Sequence, residues 1–144
     1  YRALRCDKLT YALLEETLRT YFTPVAIHKE NLTISLFQRG PQNLQQIGKR
    51  ILSKISNKII KKYDIGLQHT EVEVGSGSMP LEKLSSRALV FRDGMKPNEL
   101  SREFRKASIP ILGYISGSNF YIDLKAIPPY QEKILCQVLQ EVLK

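Results

Sequence analysis

From Leu44 onward the apolar residues keep a helical spacing, and just past Tyr63 that spacing changes to a period of two. Ile47, Ile51, Ile55 and Ile59 stand four apart, Leu44 carries the stripe back one turn, and Leu52 and Ile60 widen it. Such spacing gives a helix one apolar face, here a single helix over residues 42–62 that follows the breaker Gly40-Pro41. Gly48 lies inside it, and a glycine there costs about 1 kcal/mol relative to alanine. Either the rest of the helix carries that cost or a neighbour packs close. Ile65, Leu67, Val72 and Val74 then alternate with polar residues, which is the spacing of a half-buried strand.

The remaining elements follow from the same arithmetic. A helix from Asp7 to Phe22 carries Leu9, Ala12, Leu13, Leu18 and Tyr21, and Thr23-Pro24 ends it because the residue before proline is pushed out of the α region. After the turn-rich Gly75-Ser76-Gly77-Ser78-Met79-Pro80, a second strand is expected around Ala88 to Arg92, then a short helix through Lys106 with Pro97 near its start. Ile111 to Ser116 and Phe120 to Leu124, joined by Gly117-Ser118-Asn119, read as a hairpin. Pro128-Pro129 launches a last helix bearing Ile134, Leu135, Val138, Leu139 and Val142. The order from Ile65 is β-β-α-β-β-α, an α+β arrangement with an antiparallel sheet covered by helices.

With 144 residues, 42% of them hydrophobic, the chain can bury a core without staples. A formal charge of +8, from 22 Lys and Arg against 14 Asp and Glu, favours an anionic partner: nucleic acid, phosphate or an acidic protein. Cys6 and Cys136 form neither a metal knuckle nor a disulfide framework and read as reduced, small apolar residues. No apolar run reaches the roughly 20 residues needed to span a bilayer, and no signal segment is visible, so no membrane partner is expected and a cytoplasmic location is. The chain starts at Tyr1 rather than Met, from which an upstream segment is expected.

Three features could carry chemistry. Arg50, Lys54, Lys58 and Lys62 follow one another at i, i+4, either covering the core edge with their stems or contacting an RNA backbone. No aromatic residue is interleaved to stack on bases. The loop Gly75, Ser76, Gly77, Ser78 could offer backbone N–H groups to an anion, or simply connect two strands. Arg2 and Arg5 share a face if residues 2–8 are helical, and two guanidinium forks suit a tetrahedral oxyanion, although a solvated basic helix start has the same spacing. His28 and His69 have no metal-ligand spacing, and no nucleophile-elbow pattern occurs. No metal is expected.

The run RALRCDKLTYALLEETL resembles the stretch after the cofactor lysine in bacterial selenocysteine synthases, the L-seryl-tRNA(Sec) selenium transferases. GSGSMP is similar to a glycine- and serine-rich loop of that family, and PILGYISGSNFYIDLKAI to its late hairpin. The likeness is strong at the start and looser between residues 24 and 70.

That resemblance implies an aminotransferase-like (fold-type I) enzyme built on pyridoxal 5'-phosphate. Residues 1–24 would end its large catalytic domain, and residues 25–144 would be its C-terminal small α+β domain. The family's substrates would be seryl-tRNA(Sec) and selenophosphate, with Arg2 and Arg5 binding the phosphate of the selenium donor. Gly75, Ser76, Gly77 and Ser78 would form an active-site loop, and Arg50, Lys54, Lys58 and Lys62 could meet the tRNA. Homodimers assembled into a ring are implied as well. The Schiff-base lysine belongs upstream of RALR; Lys8 follows the motif and reads as a helix-surface cation. No catalytic residue and no bound cofactor are therefore expected in this stretch, which should be inactive alone. Two alternatives remain: a related lyase acting on a phosphorylated amino sugar, and a stand-alone basic RNA-binding or interaction domain. The last predicts a tidily packed N-terminus, whereas the first reading predicts that Leu4, Leu9 and Leu13 are left exposed or wrongly buried.

Overall fold

The isoleucine stripe makes two helices rather than one. In a computed structural model, which describes residues 5–22, 27, 31–74 and 79–144, the helix from Pro41 stops at Leu52 and a second runs from Asn57 to Lys62. The expected continuous helix over 42–62 is corrected by two serines. Ser53 bonds its hydroxyl back to the Arg50 carbonyl at 2.9 Å, and Ser56 turns extended, at φ −64 and ψ 142, to cap the next helix. Serine competes with the helical backbone in this way, and is favoured at caps for the same reason. Ile55 is buried at the break, so the apolar stripe survives the change of direction.

The described residues fall into two compact units, 1–38 and 39–144. In the first, α1 spans Lys8–Tyr21 and α2 spans Leu32–Phe37. Asp7 caps α1 by accepting the Thr10 N–H at 2.7 Å, and Asn31 caps α2 through the Ile34 N–H at 3.1 Å. The expected domain boundary after residue 24 lies outside the described residues.

The second unit holds α3 (Pro41–Leu52), α4 (Asn57–Lys62), β1 (Ile65–Val74), β2 (Met79–Phe91), α5 (Pro97–Lys106), β3 (Tyr114–Ser116), β4 (Asn119–Asp123) and α6 (Glu132–Val142), the last entered through a 3₁₀ turn at Pro129–Gln131. Its strands form one antiparallel sheet in the order β1-β2-β4-β3. The α+β arrangement and the β-β-α-β-β-α order are as expected. Strand limits differ. β2 begins nine residues earlier than Ala88 because the preceding residues pair with β1, where Ser85, Ser86 and Arg87 interrupt the apolar alternation, and the β4 side joins only from Arg87, whose carbonyl accepts the Leu124 N–H at 2.9 Å. β3 begins at Tyr114, since Ile111 instead donates its N–H to the Phe104 carbonyl at 3.0 Å. The β3–β4 turn is the pair Gly117-Ser118, with φ +58 at Gly117, where glycine alone adopts the geometry at no steric cost.

One sheet face packs on the helices. Ile65, Leu89, Phe91, Phe120 and Ile122 join Leu44, Ile47 and Ile51 of α3, Leu100 and Phe104 of α5, and Leu135, Val138 and Leu139 of α6 in one core. Phe104 lies 5.4 Å from Phe120 and 5.7 Å from Phe91, ring centre to ring centre. Gly48 is explained by close approach: a Cβ there would stand 2.5 Å from Leu67 Cδ1. The other face carries a separate buried set, Ala88, Val90 and Tyr121, and a polar cluster around Asp123.

Candidate functional site

The opening stretch meets α1 at its capped end. Arg5 is exposed and, among the described residues, has no hydrogen-bonding or ionic partner; Arg2 lies outside them. The Asp7 carboxylate holds the Thr10 N–H, and that bond draws its pKa below the usual value. The positive end of α1 is thereby already matched to a negative group. An anion at this place would have to be held by guanidinium charge and not by the helix terminus.

No residue of α1 is buried. Leu9 is 67% and Leu13 61% exposed, and Tyr11, Leu14, Leu18, Tyr21 and Phe22 are exposed as well. An amphipathic helix gains its stability from a covered apolar face, and this one shows its face open. Leu4 lies outside the described residues.

The basic series is dispersed. Arg50, at the end of α3, places its Nη2 3.0 Å from both carboxylate oxygens of Glu132 on α6. Lys54 sits in the turn after α3, where its carbonyl accepts the Gln140 amide at 2.8 Å. Lys58 is exposed on α4, and Lys62 donates to the main-chain oxygen of Lys144 at 3.0 Å while lying 4.9 Å over the Tyr63 ring. The four do not share one helix face, because the helix they were placed on is interrupted. The loop Gly75, Ser76, Gly77 and Ser78 lies outside the described residues; the strands on either side of it, β1 and β2, pair antiparallel with an irregularity at Glu73/Val74.

Sequence reasoning missed a polar cluster on the second sheet face. Asp123 accepts Thr70 Oγ1 at 2.9 Å, Ser86 Oγ at 2.7 Å and the Lys125 N–H at 2.9 Å. Lys125 Nζ donates to the Arg39 carbonyl at 2.8 Å, and Arg39 Nη1 to the Ile127 carbonyl at 2.6 Å. Burial pulls the Lys125 ammonium below its ordinary pKa, with Asp123 opposing. Tyr114 stacks on Tyr121 at 5.1 Å, and burial, then the Asp123 charge, raise its phenol. These residues are far apart in sequence and show no common spacing. Only Asp123 facing Ala88 in the sheet register brings them together.

The described residues do not fit pyridoxal phosphate. Lys8 is exposed on the first turn of α1, and the buried Lys125 is committed to the Arg39 carbonyl; neither faces an anion cradle. Among the described residues no group of three His, Cys, Asp or Glu could hold a metal ion, and His69 pairs with Ser85 at 2.9 Å. No described helix is long and apolar enough to cross a membrane.

A family model described as L-seryl-tRNA selenium transferase matches residues 1–128, which spans α1, the whole sheet and α5. The chain belongs to that family. Proteins named L-seryl-tRNA(Sec) selenium transferase are similar to it: one from Photorhabdus laumondii, 34% identical over 96% of this chain and 30% of its own length, and one from Shewanella oneidensis, 35% identical over 88% and 27%. That of Escherichia fergusonii is 32% identical over 88% of this chain and 28% of its own. The chain thus spans less than a third of the length of these selenium transferases. The family match stops at residue 128, before α6, although α6 supplies Leu135, Val138 and Leu139 to the core.

Proposed function

We propose that this chain is the C-terminal part of a pyridoxal-phosphate-dependent enzyme that converts seryl-tRNA(Sec) to selenocysteinyl-tRNA(Sec) with selenophosphate. The family match over residues 1–128 carries the reading. The uncovered apolar face of α1 supports it, since a helix at the end of a large catalytic domain would be covered by that domain. Residues 1–24 then close the large domain of an aminotransferase-like fold, and residues 25–144 form its small domain. The cofactor lysine stands upstream of Arg2, so this stretch alone binds no cofactor and is inactive. The complete enzyme is a cytoplasmic ring of homodimers.

In this reading Arg2 and Arg5 hold the phosphate of the selenium donor. A guanidinium fork gives a tetrahedral oxyanion two parallel, charge-assisted bonds. Gly75, Ser76, Gly77 and Ser78 border the same active site. In the complete enzyme, Arg5→Ala removes one such contact, worth about 1.5–3 kcal/mol, or roughly tenfold or more in affinity. The KM for selenophosphate should rise by that factor, and Arg2→Ala should match it, while tRNA affinity stays within about twofold. A loss of tRNA binding with an unchanged donor KM would remove these arginines from the donor site. The reading frame ahead of Tyr1 should encode a large α/β domain with the cofactor lysine; a start codon directly before Tyr1 would overturn the reading.

A further inference from the structure

We propose that α5 is a docking surface for an RNA phosphate backbone, which lies in an open groove between the helix and the β3–β4 hairpin. Asn98, Ser101, Arg102, Arg105 and Lys106 line this groove of about 460 Å³ from the helix side, and Ile115 of β3 from the other. In sequence the five stand at i, i+3, i+4, i+7 and i+8, which is one face of a helix. The opposite face is anchored: Leu100 and Phe104 are buried, and Phe104 is set among Phe91 and Phe120. The helix cannot roll its cations away from the groove without breaking that aromatic set.

The lining contains three cations, two neutral hydrogen-bonding side chains and no acid. Among the described residues, neither Arg105 nor Lys106 has an ion-pair partner, whereas Arg19, Arg50, Lys83 and Arg92 each face a carboxylate. Arg102 meets Glu103 through Nε alone, at 3.3 Å and with 63% of its side chain exposed, which leaves both terminal nitrogens of its fork for a ligand. A surface pair of this kind is worth about 0–1 kcal/mol. Cations in a last turn also favour the helix dipole. That accounts for Arg105 and Lys106, but not for Arg102, Asn98 and Ser101 on the same stripe.

The shape selects the occupant. The polar face runs along the helix axis for about two turns, from Asn98 to Lys106, so a chain of phosphates can use all five side chains where a single small oxyanion reaches only part of them. From Arg102 to Lys106 the helix rises about 6 Å, close to the roughly 7 Å that three successive phosphates span at about 3.4 Å of axial rise per strand. Asn and Ser are suited to phosphate and sugar oxygens. No aromatic side chain lines the groove to stack on bases, so the contact is to backbone and independent of sequence. The identity of the RNA as the seryl-tRNA of the preceding section rests on that reading; the groove does not.

The test measures binding of a fluorescent tRNA transcript to the whole chain across a salt series, without any selenium donor. Removing three backbone contacts in the variant Arg102→Gln/Arg105→Gln/Lys106→Gln should lower the slope of log K against log salt by about 2–3 and weaken binding roughly tenfold or more. An unrelated duplex RNA should lose as much. The variant Lys49→Gln/Lys61→Gln/Lys133→Gln removes the same charge from exposed positions elsewhere and should change affinity less than about twofold. Equal losses in both variants would overturn the groove, as would no loss in the first. So would a first variant that loses binding to anionic lipid vesicles while keeping it to RNA. Unfolding curves of both variants should overlay the unmodified chain, since every substituted side chain is exposed. A complete enzyme that fails to turn over would refute the proposed function and leave this binding result standing.

Discussion

Asp123 accepts bonds from Thr70, from Ser86 and from the Lys125 amide, and Ser86 is fully buried. Truncation to alanine would leave the Ser86 hydroxyl and an amide without their acceptor, each at about 1–3 kcal/mol. Asp123→Ala should therefore destabilise the chain by about 2–4 kcal/mol in urea at an unchanged m-value, while Thr70→Val should cost about 1 kcal/mol or less. A mild Asp123→Ala would mean that water satisfies the cluster. None of this was legible in the sequence, where Asp123 is one acid at the end of a hairpin strand. Gly48 is the opposite case. Its cost inside a helix pointed to a close neighbour, and Leu67 is that neighbour.

Among the elements, the ones with a strong period were placed well. α5 runs from Pro97 to Lys106 as expected, and the late hairpin pairs Tyr114 with Tyr121 and Ser116 with Asn119. Where two signals competed, the weaker-looking one decided. Four isoleucines at i+4 argued for one long helix, yet two serines with local hydrogen bonds ended it. The consequence reaches function, because the basic series from Arg50 to Lys62 is dispersed and Arg50 is tied to Glu132. That pair joins α3 to α6, with Glu132 19% and Arg50 54% exposed in the side chain. A double-mutant cycle on Arg50→Ala and Glu132→Ala should give a coupling of about 0.3–1 kcal/mol that shrinks with added salt. No coupling would return Arg50 to the set of cations open to a ligand. The ribbon part of β2 was not legible for a different reason: Ser85, Ser86 and Arg87 break the apolar alternation, and the buried Ser86 is satisfied by a hydrogen bond to Asp123 instead of by apolar packing.

At the scale of the molecule, residues 39–144 hold a core of their own, built from the sheet and from α3, α5 and α6. That stretch should unfold in one cooperative transition when made alone, and loss of cooperativity would show that its core depends on residues 1–38. The uncovered apolar face of α1 should bind a hydrophobic dye in the whole chain, and the signal should fall when residues 1–38 are removed. The sequence alone determined what local forces can specify: the change from helical to strand spacing at Tyr63, the α+β order that follows, and the family likeness of the opening run. Tertiary structure decided what depends on residues distant in the chain. It brought Thr70, Ser86 and Asp123 together, divided the isoleucine helix at two serines, and pinned α5 through Phe104 so that Arg102, Arg105 and Lys106 line one groove. Period reports which face of an element is buried, and only packing settles which exposed faces meet.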